Sequence, residues 1–450
     1  MVQRPALGKR PSSSGKEVSP PVTKRRQQST TTSKAVASFF TPTSKKEPDK
    51  MTWRIVNESL LVGRYSPTIA AKASASANRR IAAFDFDSTL IVSASGRTFS
   101  RDASDWKWWD SSVPGKLRLL HEEGYLIAIV SNQGGISLKP DPKTVKSDQK
   151  RLAEFKTKAS AVLSQLDLPI SLYAATSRDQ YRKPRTGIWQ ELLDDYDLES
   201  TGSVDLENSV FVGDAGGREA VFDGPVKDYS CVDRDFAANV GVPFHTPEEF
   251  FRDEAPRPFV RAFQPMDFLQ QTTPQSKSAS AIFKKPSAPG VILFCGSPGA
   301  GKSSFYWKHL QPLGYARVNQ DILKTREKCI KAASALIEEG TSVVVDNTNA
   351  DPETRASWIN LAQKLNVRIQ CVLFTAPIKL CEHNSTFRAL NIGTQMNPEN
   401  RNILPHAAFS GFISRYSEPK LSEGFSDIVK VDFKFEGSGE QKKLWSQYWI

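Results

Sequence analysis

The 450-residue chain holds little cysteine, no long apolar run, and few acidic residues in its first fifty. Its five cysteines, Cys231, Cys295, Cys329, Cys371 and Cys381, include no C-x-x-C pair. That excludes a disulfide framework and a cysteine-based zinc module, and it points to a reducing compartment. No apolar stretch approaches membrane-spanning length, and no apolar segment follows the basic N-terminus. Neither a membrane span nor a secretory signal is therefore expected. Residues 1–50 hold eleven Lys/Arg against three Asp/Glu, so this tail carries +8 of the +11 formal charge. The other 400 residues are nearly balanced, and no internal repeat is visible.

The tail (1–50) is rich in Ser, Thr, Pro and Lys and has too few large apolar residues to offset the entropy of ordering, so it reads as disordered. Two basic clusters, Lys9-Arg10 and Lys24-Arg25-Arg26, are spaced like a two-part nuclear import signal, which implies a nuclear protein. Further on, Val36, Phe39 and Phe40 stand out as anchors for a segment that folds on binding. Their spacing resembles the motif that docks on the replication sliding clamp, with Ser33 where that motif has Gln. Contact with the protein's own folded part is the other reading.

A second stretch of Pro, Ser and Gln without periodicity, 262–289, reads as a linker. It separates 51–261 from 290–450, each of ordinary domain size. Both units begin with a short apolar run that ends abruptly, Ile81-Ala-Ala-Phe84 before Asp85 and Val291-Ile-Leu-Phe-Cys295 before Gly296. Such runs read as buried parallel strands that deliver a site at their C-terminal ends. Further runs at Tyr125–Val130, Ser209–Val212, Ser342–Val345 and Ile369–Phe374 alternate with helical patterns such as Arg151–Leu166 and Arg326–Glu339. The fold class is therefore α/β, with two Rossmann-like parallel-sheet domains behind a disordered basic tail.

In the first unit, Asp85-Phe86-Asp87 follows a strand, and alternation puts both carboxylates on one side. Two close carboxylates call for a cation between them, and magnesium suits oxygen ligands. Three later strand ends add to the set. Ser131-Asn132-Gln133 can donate to a phosphoryl group, Lys183 can neutralise anionic charge, and Asp214 can ligate metal. Each alone is explained as a cap or turn residue; four in this order are not.

This set resembles the haloacid-dehalogenase superfamily of phosphohydrolases. The resemblance implies Asp85 as the nucleophile that forms a phosphoaspartate and Asp87 as general acid/base. Ser131, Lys183 and Asp214 match the remaining motifs, and Asp85, Asp87 and Asp214 are the expected Mg2+ ligands. Asp233 is a further acidic candidate, with a surface turn as its alternative.

In the second unit, Gly296-Ser297-Pro298-Gly299-Ala300-Gly301-Lys302-Ser303-Ser304 is a full phosphate-binding loop. Its backbone N–H groups wrap phosphates, Lys302 neutralises the β- and γ-phosphates, and Ser303 can ligate Mg2+. ATP is the implied cofactor. Asp321, read near the end of the next strand, can accept a hydroxyl proton. Asp346 can support magnesium or the nucleotide, with a turn-forming Asp-Asn pair as the bland alternative, and Arg388 can clamp a transferring phosphate from a lid.

Phosphatase followed by kinase, together with Tyr181-Arg-Lys-Pro, Val212-Gly-Asp-Ala-Gly-Gly-Arg, Asp346-Asn-Thr-Asn and His383-Asn384 with Arg388, resembles the polynucleotide kinase/3′-phosphatase family across 51–450. The resemblance implies DNA with 3′-phosphate or 5′-hydroxyl ends as substrate, Asp321 as kinase base and Arg388 as lid arginine. It also implies a DNA repair enzyme; the basic clusters place it in the nucleus, the lack of apolar runs gives it no membrane association, and a monomer is expected. The chain departs from the family in lacking room for a phosphopeptide-binding N-terminal domain and in carrying Gln320 where Arg often precedes the base. A matching arginine downstream of Asp321 is undecided among Lys324, Arg326 and Lys328. RNA-end healing and a non-catalytic scaffold are the competing readings. Trp106-Lys-Trp-Trp109, Lys139 and Arg178–Arg185 are the candidates to hold nucleic acid, with burial as the alternative for the tryptophans.

Overall fold

The computed structural model describes residues 50–67, 79–98, 100, 102–139, 141–199, 203–221, 224, 226–270, 283–284, 287–391 and 399–450. The basic clusters and Val36, Phe39 and Phe40 lie outside the described residues. Among the described residues, no helix is long and apolar enough to cross a membrane.

The first sheet is built from β1 (Met51–Val56), β2 (Leu60–Tyr65), β3 (Ile81–Phe84), β6 (Leu126–Asn132), β7 (Ile170–Ala175), β8 (Val210–Val212) and β9 (Phe244–His245). Its order is β1-β2-β7-β6-β3-β8-β9, while β4 (Ile91–Val92) and β5 (Lys107–Trp108) form a small separate hairpin. All four residues of β3 are buried, as a continuous apolar run at the centre of a two-faced sheet requires. Strand β3 pairs in parallel with β6 on one side and β8 on the other. The chain therefore reverses its strand order at β3, where crevices open beyond the strand ends. From β7 to β9 the sheet is parallel, as expected of a Rossmann-like unit. The β1–β2 hairpin adds an antiparallel edge through β2 and β7.

The second sheet is parallel throughout, with order β11-β12-β10-β13-β14. Its strands are β10 (Gly290–Cys295), β11 (Ala316–Val318), β12 (Val343–Val345), β13 (Arg368–Phe374) and β14 (Asp427–Val431). Here β10 holds the switch position, between β12 and β13.

The helix expected at Arg151–Leu166 runs from Val145 to Leu166. Its apolar stripe of Phe155, Ala159, Val162, Leu163 and Leu166 packs on the sheet, whereas its polar first turns have no stripe to mark them. Behind the phosphate-binding loop lies a short α-helix, Lys302–Phe305, that continues as one wider turn over Tyr306–Leu310.

Part of the 262–289 stretch packs against the folded units. Phe263, Phe268 and Leu269 pack against the buried cluster of Leu380, Phe387 and Trp445, and Phe283 is buried with Phe294 and Phe305 in the core of the second unit. The last residues of the chain reach the first unit. Asn239 Nδ2 donates to the carbonyls of Pro184 and Tyr448, each at 2.8 Å, and Arg185 Nε donates to the Trp449 carbonyl at 3.1 Å.

Candidate functional sites

Each strand at the first switch point ends in a candidate residue. Asp85 follows β3, and its N–H donates to the Val212 carbonyl of β8 at 2.8 Å, so the two strand ends are tied together. Ser131 lies on β6 and is buried. Asp214 follows β8. Lys183 arrives from the loop after β7, which Asn132 pins: the Lys183 N–H donates to Asn132 Oδ1 at 2.9 Å, and Asn132 Nδ2 donates back to the Lys183 carbonyl.

The Lys183 ammonium is fully enclosed. It lies 2.6 Å from Asp85 Oδ1 and 2.7 Å from Asp233 Oδ1, and it donates to the Val130 carbonyl at 2.8 Å. Burial alone would lower its pKa, but the Asp233 and Asp85 carboxylates outweigh burial and raise it. Burial pushes Asp85 up to about 7 against the pull of Lys183, and burial with the Asp85 and Asp233 charges pushes Asp214 up to about 8. One lysine thus faces more negative charge than it can neutralise.

Asp85, Asp214 and Asp233 bring one carboxylate oxygen each to within 4.8 Å of one another. An all-oxygen donor set of this charge fits a hard divalent cation such as Mg2+. Asp233, the further acidic candidate of the sequence, joins Asp85 and Asp214 in this trio. The Asp233 carboxylate presses so closely on Gly213 that a Cβ there would lie 2.4 Å from Oδ2. Its other tie is the Ala215 N–H, which donates to Oδ2 at 3.0 Å.

Asp87 stands apart and half-exposed. It accepts from Gln133 Nε2 at 2.6 Å and pairs with Lys158 Nζ at 3.1 Å. Asn132 and Gln133, expected to donate to a phosphoryl group, are thus engaged with Lys183 and Asp87. Lys158 escaped the sequence reading because its helix faces the cleft from a distant part of the chain.

These groups floor a cleft of 1320 Å³ whose walls include Arg97, Lys107, Arg151 and Arg182. Of the nucleic-acid candidates, Arg182 and Lys107 face this cleft. Trp106, Trp108 and Trp109 pack on the core, and Arg185 is buried against the carbonyls of Asp179 and Trp449. Lys139 is exposed.

The second site crowns β10. Gly299 has φ +81°, and a Cβ there would meet the Cys381 carbonyl at 2.2 Å, so the loop closes only with glycine. Gly301, at φ +93°, caps the helix that begins at Lys302. Gly296, Ser297 and Ala300 complete the concave loop, and Ser304 follows on the helix. Lys302 Nζ donates to the carbonyls of Gly296 and Ser297 at 3.0 and 2.7 Å, and burial lowers its pKa. This cradle of backbone around a lysine fits a nucleotide phosphate chain.

Ser303 Oγ donates to Asp346 Oδ2 at 2.8 Å, and Arg317 Nε donates to the same oxygen at 2.7 Å. Asp321 lies in the first turn of a short helix, Gln320–Leu323, and not in the strand, which ends at Val318. Asn319 caps that helix, its Oδ1 accepting from the Asp321 N–H at 2.8 Å. Arg388, on the helix Ile378–Leu390, has a buried Nε without a hydrogen-bond partner. Burial and the neighbouring Arg401 charge lower its guanidinium to about 10, against the pull of Glu399, Asp321 and Asp346. The same helix touches the loop where Asn384 Nδ2 donates to the Gly299 carbonyl at 3.2 Å.

Two α/β units, one with a lysine among crowded carboxylates and one with a phosphate-cradling loop, define a chain built to handle phosphoryl groups at two separate sheet crests. Residues 80–251 match the family model described as polynucleotide kinase 3 phosphatase, and residues 291–333 and 324–405 match one described as an AAA domain. The chain is 37% identical to the bifunctional polynucleotide phosphatase/kinase of Schizosaccharomyces pombe, over 87% of each chain. It is 31% identical to a mimivirus protein named as a bifunctional polynucleotide phosphatase/kinase, over 82% of this chain and 88% of that one. The chain belongs to the bifunctional polynucleotide phosphatase/kinase family, with a haloacid-dehalogenase-like phosphatase unit fused to a P-loop kinase unit.

Proposed function

We propose that the chain restores ligatable ends at breaks in DNA: the first site removes 3′-phosphates and the second phosphorylates 5′-hydroxyls from ATP. The observation that carries this reading is the coexistence in one chain of the Asp85–Lys183–Asp214–Asp233 cluster and the Gly296–Ser303 loop, each at a strand-order switch. The division of labour follows 51–261 for the phosphatase and 290–450 for the kinase, joined by 262–289. The basic clusters Lys9-Arg10 and Lys24-Arg25-Arg26 support nuclear residence.

In the phosphatase, a carboxylate oxygen of Asp85 attacks phosphorus and the bond to the 3′-oxygen breaks. Asp87 gives the departing oxygen its proton and then takes one from the water that hydrolyses the phosphoaspartate. Gln133 and Lys158 hold the Asp87 carboxylate in place for both transfers. Lys183 favours the anionic form of Asp85 against its burial, and the Ser131 hydroxyl orients the phosphoryl oxygens. A Mg2+ ion held by Asp85, Asp214 and Asp233 would supply charge neutralisation for the phosphoryl oxygens.

In the kinase, Asp321 takes the proton of the 5′-hydroxyl, Lys302 and the loop N–H groups hold the β- and γ-phosphates of ATP, and Arg388 faces the transferred group. Ser303 and Asp346 are the residues that would hold the nucleotide's Mg2+. Asp85→Asn is expected to abolish only 3′-dephosphorylation and Lys302→Ala only ATP-dependent 5′-phosphorylation. Either variant retaining the activity assigned to it would overturn that site. RNA substrates handled as fast as matched DNA would overturn the choice of DNA.

A further inference from the structure

We propose that Arg401 is a second catalytic arginine of the kinase, one that holds the transferring phosphoryl group between the phosphate-binding loop and Asp321. The proposal rests on the reading of Lys302, Ser303 and Asp321 given above.

The basic residues that follow Asp321 in sequence do not serve. Lys324 Nζ donates to the backbone carbonyl of Asp321 at 2.8 Å, Arg326 donates to Thr354 Oγ1 at 3.3 Å, and Lys328 is exposed on the next helix. Arg401 comes from a distant segment and reaches both ends of the reaction. Its Nη2 lies 3.3 Å from Ser303 Oγ and 3.6 Å from Asp321 Oδ2.

Its position is fixed from behind. Glu399 Oε2 lies 2.5 Å from Arg401 Nη2, and Glu399 Oε1 accepts from Arg317 Nη1 at 2.8 Å. Arg317 in turn grips Asp346 under the loop and donates to Ser303 Oγ at 3.0 Å. A charged group held in this way needs little reorganisation when the reaction begins. Arg388 brings its unpartnered Nε from the helix Ile378–Leu390, among the charges of Arg401, Glu399, Asp321 and Asp346.

Phosphoryl transfer puts the γ-phosphorus between the loop and the hydroxyl beside the base. The 5′-oxygen bonds to phosphorus as the bond to the bridging oxygen breaks. ADP leaves with that electron pair, and Asp321 takes the hydroxyl proton. The gap between Ser303 Oγ and Asp321 is where the equatorial oxygens pass, and the Arg401 guanidinium borders it. Substrate binding exchanges the Asp321 contact of Arg401 for those oxygens and frees the carboxylate to act as base.

The test is steady-state 5′-kinase kinetics of the full chain, with 3′-phosphatase activity and melting temperature as readouts of folding. Arg401→Ala should lower kcat by about 100-fold or more while the KM for ATP moves less than about threefold. Arg401→Lys, which keeps a charge but loses the fork, should recover only part of that loss. An Arg401→Ala enzyme with normal kcat, or with a raised KM alone, overturns the proposal. So does Arg401→Lys at full activity, because the fork then plays no part. Lys302→Ala, run alongside, separates the two levels. If it keeps kinase activity, the reading of the whole site falls; if it is inactive while Arg401→Ala is normal, only the role of Arg401 falls.

Discussion

Replacing Lys183 with Met removes the one ammonium enclosed by the phosphatase carboxylates and keeps an unbranched side chain in its place. The native group sits 2.6 Å from Asp85 and 2.7 Å from Asp233 and is almost wholly buried. Breaking a buried ion pair from one side costs about 3–5 kcal/mol, because the surviving charges stay desolvated. At 2–4 °C per kcal/mol for a unit of this size, the melting temperature should fall by roughly 6–20 °C. The loss should depend on pH with a definite sign. Asp85 and Asp214 already sit at about 7 and about 8 in the fold, above their ordinary value, and removing the lysine raises them further. The folded variant therefore binds more protons than the unfolded chain, and its stability declines as pH rises through this window. Thermal melts at about pH 6 and about pH 8 should show the larger deficit at the higher pH, with Mg2+ recovering part of it. Dephosphorylation of a 3′-phosphate should be lost while 5′-phosphorylation persists. An unchanged melt at the higher pH with dephosphorylation intact would refute the reasoning.

Mg2+ should raise the melting temperature of the native chain more at about pH 8 than at about pH 6, because the cation competes with the protons of Asp85 and Asp214; calorimetry in both buffers checks this. Gly299→Ala places a Cβ 2.2 Å from the Cys381 carbonyl at a left-handed backbone, so radiolabel transfer to a 5′-hydroxyl should drop by more than about tenfold with phosphatase activity unaffected. Burial lowers His383 to about 4, so the unfolded chain takes up that proton first on acidification. The packing of His383 on Trp445 should therefore weaken as pH falls below about 6.5, by up to about 3 kcal/mol near pH 4, followed as a shift in tryptophan fluorescence that His383→Gln abolishes.

Much of this architecture was legible because short buried strands end where chemistry begins. The run Ile81–Phe84 reads as a central strand from its unbroken apolarity alone, and the Gly296–Ser303 spacing carries its own mechanism. The β1–β2 hairpin was missed because its only signal is an edge pairing with β7, which depends on tertiary contact. Asp233 is ambiguous in sequence for a related reason. It lies in a helix first turn, where an acidic residue is ordinary, and only folding brings it to Lys183 and Asp85. Gln133 reads as a phosphate donor from its place at a strand end, whereas in the fold its amide donates to the Asp87 carboxylate. Arg401 carries no local motif, and its proximity to Asp321 exists only in three dimensions.

A single nicked duplex bearing both a 3′-phosphate and a 5′-hydroxyl tests the central claim most directly. Incubated with the full chain and Mg2+, it should yield a 3′-hydroxyl without ATP and both corrected termini with ATP. A chain that corrects neither terminus, or whose 3′-dephosphorylation requires ATP, would contradict the account of two independent phosphoryl-handling sites.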